Sequence, residues 1–286
     1  TESGKCTMFI EEVKKIVRRN EFYAAAIIIF FAVFLNFYIA CDNLQGKPLS
    51  QIPSAWELTV LRNYYCYNFT DTVFSTLLPL IASIMAADVY YTELKKGITN
   101  YITTRTSCSS YIRNKVLAAG TVVFVTVGIA VAVSIVLSII AFPLQGHYST
   151  DVSFRSLMMH DRYRILCGFE GAYPYLNIIF FGFIRCLFAV SSALFAFSMT
   201  FIKRVNHYLL MLSSTIYYFV YILLGTLIAN TFADGLSYNW ADMINTSVTG
   251  VNRYGSIYMI FFYIVFQAAL AIFIIRRGVK KGDCIL

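Results

Sequence analysis

The residues of this 286-residue chain that could do chemistry are few and far apart. The histidines are His147, His160 and His207, and no two share the one-turn spacing with which a helix presents two imidazoles to zinc. Glu11 and Glu12 form an acidic pair, but no apolar stretch offers a histidine to complete a membrane-protease site. No GxxxxGK[ST] occurs, so the chain has no P-loop with which to cradle nucleotide phosphates. Seven cysteines are scattered without a CxxC or other metal-ligand spacing. Cys66 and Cys167 fall in loops expected on one side, where they either pair or stay free thiols. We therefore expect no catalytic residue, no metal and no cofactor held by the chain itself.

Two segments do carry information. The first is Arg185, alone in the apolar run FFGFIRCLFAV. In a helix from Leu176 it lies about 13 Å along the axis. A charge at that depth must face protein or water. It either lines a pathway or binds an anionic group, or it snorkels or pairs with Asp88, Asp71 or a backbone carbonyl. Gln267, in another apolar run, is a candidate for an interhelical hydrogen bond. The second segment is Asp88–Lys115, DVYYTELKKGITNYITTRTSCSSYIRNK. Tyr91–Lys96 suits a helix, Gly97 can end it, and Thr103–Ser110 offers hydroxyl caps around the lone charge of Arg105. Helix resumes at Tyr111. A stretch of roughly 25 residues is too short to fold alone. It is either a polar knob built to be touched by another protein or a solvated connector.

The elements that position these residues follow from composition. The chain is 58% hydrophobic and only 13% charged. Soluble domains carry about 25% charged residues, so the apolar excess needs lipid as its solvent. Six apolar stretches approach or exceed the roughly 20 residues that cross a hydrocarbon core: residues 22–41, 71–90, 116–143, 176–201, 208–230 and 257–275. They are continuous rather than alternating, which predicts helices and not a barrel. The expected fold is an all-α membrane protein of one domain, residues 1–286, with six transmembrane helices. Most of the 23 lysines and arginines cluster at the N-terminus, in 91–115, beside Lys203 and Arg204, and from Arg276 onward. That bias places both termini and the 91–115 loop in the cytoplasm. It also accounts for the net charge of +8 without nucleic acid. The N-terminal segment reads as an anchor rather than a signal peptide, because no small-residue cleavage site follows its apolar run. Cys284 is third from the last residue, where a prenylation box needs the fourth.

The loops expected outside, Asp42–Thr70, Leu144–Tyr175 and Thr231–Ser256, are rich in Tyr, Asn, Ser and Gly. The latter two are candidates for a lid or re-entrant gate. Asp234 and Asp242 make the last of them mildly acidic. In Met8–Arg19, Phe9, Val13, Ile16 and Val17 recur at helical spacing, with Glu11, Glu12, Lys14, Lys15, Arg18 and Arg19 assigned to the other side. This segment (8–19) is either an interfacial helix lying apolar face down or a solvated tail.

The pattern Glu93, Gly97, Ile102-Thr103-Thr104-Arg105, Ser107, Tyr111 and Lys115, set between the second and third stretches, resembles the signature of ABC-2 type transporter permeases. Thr106 stands where many members of that family carry proline. The layout resembles that family along nearly the whole chain, with 8–19 as its amphipathic elbow helix. The resemblance implies a permease subunit of a bacterial cell membrane exporter. A second permease, identical or not, would complete the pathway, and separate ATPase subunits would bind the ATP and magnesium. It further implies an ATPase interface at Glu93, Ile102, Thr103, Thr104, Arg105, Thr106, Ser107 and Ser110. Arg185, from its depth, is the candidate for the translocation pathway, and the mildly acidic last loop, with Asp234, Trp240 and Asp242, suits a cationic cargo such as a peptide or other amphiphile. The competing reading is a polytopic membrane protein outside that family, either a secondary transporter or an accessory or scaffold subunit. A secondary transporter is expected to show more ionisable residues within its spans and two similar halves.

Overall fold

The computed structural model describes residues 2–61, 72–86, 88–97, 99, 107–144, 172–202, 206–232 and 257–280. Among them every regular element is helical. They are α1 (Glu2–Val17), α2 (Asn20–Leu44), α3 (Leu78–Ala86), α4 (Asp88–Lys95), α5 (Cys108–Ala141), α6 (Pro174–Ser198), α7 (His207–Phe232) and α8 (Ile257–Lys280). Five stretches are long and apolar enough to cross a membrane: Asn20–Leu44, Cys108–Ala141, Pro174–Phe201, His207–Leu224 and Phe261–Lys280. The chain is thus a multi-pass helical membrane protein. Residues 71–90 hold no comparable long helix among the described residues. A π-helical turn, Thr72–Leu77, runs into α3, and α4 follows beyond residue 87. Pro79 lacks an N–H, and its ring crowds the carbonyl one turn back. The preceding turn widens accordingly.

The interior is built on α6. Of its apolar window 67% is buried, against 22–33% for the other four spans. It packs on α3, α5, α7 and α8. Small residues allow this where α5 meets α6: a Cβ at Gly120 would stand 3.5 Å from Val190 Cγ1, one at Gly128 3.7 Å from Cys186 Sγ, and one at Gly182 2.9 Å from Val131 Cγ1. Without a hydrophobic drive inside lipid, close backbone approach and interhelical hydrogen bonds must hold such helices. Ser191 on α6 donates to Gln267 on α8 at 2.7 Å, the interhelical bond expected of Gln267. Ser83 on α3 pairs with Ser214 on α7, and the Ser214 hydroxyl also donates to the Pro79 carbonyl at 3.0 Å. Cys41 and Cys186 are free thiols, and Cys108 is disulfide-bonded. The pair Cys66 and Cys167 lies outside the described residues.

The two ends of the bundle differ. At one end, here the base, α1, α4, the start of α5 and the end of α8 converge. Met8, Leu94, Ile274, Ile275 and Val279 surround a buried core of Tyr90, Tyr111, Ile112, Phe197 and Phe201. At the other end, the crown, α2 and α5 finish and α6 begins. There Tyr175 donates to the Leu144 carbonyl at 2.9 Å, and the Phe37 and Phe142 rings meet at 6.2 Å. The loop after α2 does not stay outside the bundle. Pro53–Leu61 is buried apart from a half-buried Trp56, and it contains the 3-10 turn Ala55–Leu58.

Candidate functional site: a closed ring of charges at the base

α1 is held to the bundle along its apolar stripe, with Ile16 buried and Phe9, Val13 and Val17 packed on the main core. Glu12 belongs to this same face. It lies three residues after Phe9 and four before Ile16, which stacks it between them on a helix. The expectation that Glu12 sits with the solvated charges is therefore corrected: it is only 3% exposed. A carboxylate buried this far needs a partner, and the partner comes from α5. Lys115, 2% exposed, places its Nζ 2.8 Å from Glu12 Oε2 and 2.7 Å from Glu93 Oε2. Lys15, one turn beyond Glu12, places its Nζ 2.8 Å from Glu12 Oε1 and 3.4 Å from Glu93 Oε1.

The four groups form a closed ring of alternating sign. Each carboxylate gives one oxygen to Lys115 and the other to Lys15, so the ring carries no net charge and leaves no carboxylate oxygen unused. Tyr111, four residues before Lys115 on α5, donates its hydroxyl to Glu93. The Lys115 ammonium lies 5.1 Å from the centroid of that same tyrosine ring. Beneath the ring of charges Tyr90 stacks on Phe201 at 5.1 Å and contacts Phe197 at 5.5 Å.

The charges tune one another. Burial alone would push the Glu93 carboxyl up. The Lys115 ammonium beside it, with hydrogen bonds from Lys115 and Tyr111 and the field of Lys15, outweighs burial and holds it below the usual carboxylate range. Burial alone would lower Lys15, but Glu12 and Glu93 outweigh it and hold the ammonium above its usual value. Both shifts favour the charged forms, as expected where opposite charges sit within hydrogen-bond reach.

Of the residues expected at a partner interface, Glu93 stands in this ring. Ser107 is exposed at the N-cap of α5 and Ser110 is half-buried on its first turn. Ile102, Thr103, Thr104, Arg105 and Thr106 lie outside the described residues. Gly97 ends the helical turn after α4 with a φ of 70°, the left-handed conformation glycine adopts without strain. Arg185 is in a different place altogether. It is 2% exposed on α6, about 16 Å from the start of that helix. Asp71, one of its candidate partners, lies outside the described residues. No group of three His, Cys, Asp or Glu that could hold a metal occurs among the described residues. Set against family models, curated proteins and solved structures, the chain matches none.

Proposed function

We propose that the chain is the membrane permease subunit of an ABC-2 type exporter, driven by separate ATPase subunits that dock on the cytoplasmic loop 91–115. One observation carries this reading: the neutral ring of Glu12, Lys15, Glu93 and Lys115 ties α1 to both helices that flank that loop. A solvated connector has no use for a buried lysine joining three elements. A loop that must pass force to the bundle does, because its two flanking helices and the elbow helix then move as one body. On this reading the base faces the cytoplasm, both termini lie there, and the protein spans a bacterial cell membrane through six spans, the sixth being the broken stretch 71–90. A second permease completes the pathway. Arg185 lines it, and the cargo is a peptide or other amphiphile.

A secondary transporter is the alternative that one observation favours, because a buried arginine at mid-bundle is the kind of residue on which such proteins bind an ion or anion. The test separates the two. The tagged chain is purified from its native membrane and probed for a second, P-loop-containing subunit. The expected result is co-purification and ATP-dependent activity in liposomes; the lack of both refutes the proposal. Arg105→Glu is expected to weaken ATPase docking while leaving insertion unchanged. Unchanged docking would move the coupling site elsewhere.

A further inference from the structure

The segment between α2 and residue 61 is buried as a core strand would be, yet it is a loop. Thr59, Val60 and Leu61 are 1%, 3% and 5% exposed. Three helices hold it, and each reports the same depth. Asn36 Nδ2 on α2 donates to the Leu58 carbonyl at 3.2 Å. Asn36 lies eight residues before Leu44, the end of α2, or about 12 Å down the helix. Ser134 Oγ on α5 accepts from the Val60 N–H at 2.8 Å. That serine lies seven residues before Ala141, about 10 Å down α5. On α6, a Cβ at Gly182 would stand 3.7 Å from Leu61 Cδ1, and Gly182 is eight residues, about 12 Å, beyond Pro174. At its outer end the loop is pinned by the Ala55 N–H on the Pro143 carbonyl at 2.9 Å.

The loop therefore dips from the crown some 10–12 Å into the bundle. Leu61, beside Gly182, lies one helical turn short of Arg185, since Gly182 and Arg185 share a face at i, i+3. Irregular backbone at membrane depth is tolerated only where protein or water satisfies it. Here the satisfaction is supplied by two buried polar side chains, Asn36 and Ser134, each spent on a backbone group of the loop.

We propose that Pro53–Leu61 is a plug that closes the crown over Arg185 and must withdraw for anything to pass. This rests on Arg185 lying on a pathway, but not on what energises it. Asn36 and Ser134 are its latches. A latch made of two neutral hydrogen bonds, each worth about 1 kcal/mol, biases the closed state without locking it.

The test is peptide-resolved labelling with a membrane-impermeant maleimide on the full chain in proteoliposomes. The tip carries Thr59→Cys, and the exposed Leu49, outside the dip, carries Leu49→Cys as the reference. Thr59→Cys is expected to label far more slowly than Leu49→Cys. Adding Asn36→Leu and Ser134→Ala is expected to speed Thr59→Cys labelling about thirtyfold, the effect of losing two neutral hydrogen bonds, with Leu49→Cys unchanged. Equal rates at the two positions in the parent, or no acceleration on removing the latches, overturns the plug. With the partner ATPase present, turnover is expected to raise Thr59→Cys labelling. Turnover without any rise shows a fixed wedge and overturns the inference while leaving the permease reading intact. Absence of an ATPase touches only that reading, because the first measurement uses no nucleotide.

Discussion

Replacing Lys115 by methionine is the sharpest perturbation of the base. It removes the cation that sits 2.8 Å from Glu12 and 2.7 Å from Glu93, and leaves the ring with one net negative charge. Removing one partner of a buried pair costs about 3–5 kcal/mol, mostly because the remaining charge is stranded. Lys15 still reaches both carboxylates and is itself 46% exposed, so part of the loss is recovered and the low end applies. A loss of about 3 kcal/mol in a chain of this size corresponds to a drop of about 6–12 °C in melting temperature. Thermal unfolding of the detergent-solubilised protein reads it. The decisive variant adds Glu12→Met. Glu93 and Lys15 then remain as a neutral pair at the edge, and the buried ions have been exchanged for apolar volume, which is close to neutral. The double variant is therefore expected to be more stable than Lys115→Met alone, with a coupling energy of at least ~2 kcal/mol. A Lys115→Met protein that melts within about 2 °C of the parent, or a double variant that falls by the sum of the two singles, would refute the ring as a coupled unit.

Other expectations follow from the same geometry. Gly278→Ala would put a Cβ 2.6 Å from Phe201 Cδ1, and that ring is trapped by stacking on Tyr90, so a loss of about 1–3 kcal/mol is expected in the same melt. Docking of α1 is expected to be insensitive to pH across the neutral range. The Glu93 contribution, with its pKa lowered from 4.5, is present above that value and lost as pH falls through the lowered one. The Lys15 contribution, with its pKa raised from 10.5, is present below that value and lost as pH rises through the raised one. Protection factors in α1, with the intrinsic base-catalysed rise in exchange divided out, that fall between about pH 6 and pH 8, where neither group titrates, would contradict this. Ser83→Ala and Ser214→Ala are each expected to cost under about 1 kcal/mol, since hydroxyl bonds between membrane helices average about 0.6. A loss of several kcal/mol would make the α3–α7 seam a principal support.

What could be read before folding was whatever depends on local runs of apolar residues. The stretches 22–41, 116–143, 176–201, 208–230 and 257–275 fall within or nearly within α2, α5, α6 with its following turn, α7 and α8. The stretch 71–90 has the right composition, but Pro79 breaks the regular ladder, and composition does not register a π-helical turn. Glu93, Tyr111 and Lys115 were visible as a spaced pattern. Their partners Glu12 and Lys15 were not, because only tertiary packing decides which face of α1 is covered. Glu12 did carry a signal, its place between Phe9 and Ile16 on the apolar face. The plug was hidden for the opposite reason: IPSAWELTVL has the turn formers and apolar content of a surface loop capped by aromatic residues, and its burial depends on hydrogen bonds to Asn36 and Ser134.

α5 joins the two places where polar groups are buried. It runs unbroken for 34 residues without a proline, carrying Lys115 near one end and Ser134 toward the other. These lie about 28 Å apart along one continuous helix with no proline or bulge between them. A stiff rod cannot move privately at one end. A rocking of about 5° around its midpoint shifts both residues by about 1.2 Å in opposite directions. That is enough to stretch a 2.8 Å bond at Ser134 to about 4 Å, beyond hydrogen-bond range. Pulling on the lysine at the base is thereby pulling the latch at the crown, with no relay of side chains needed in between.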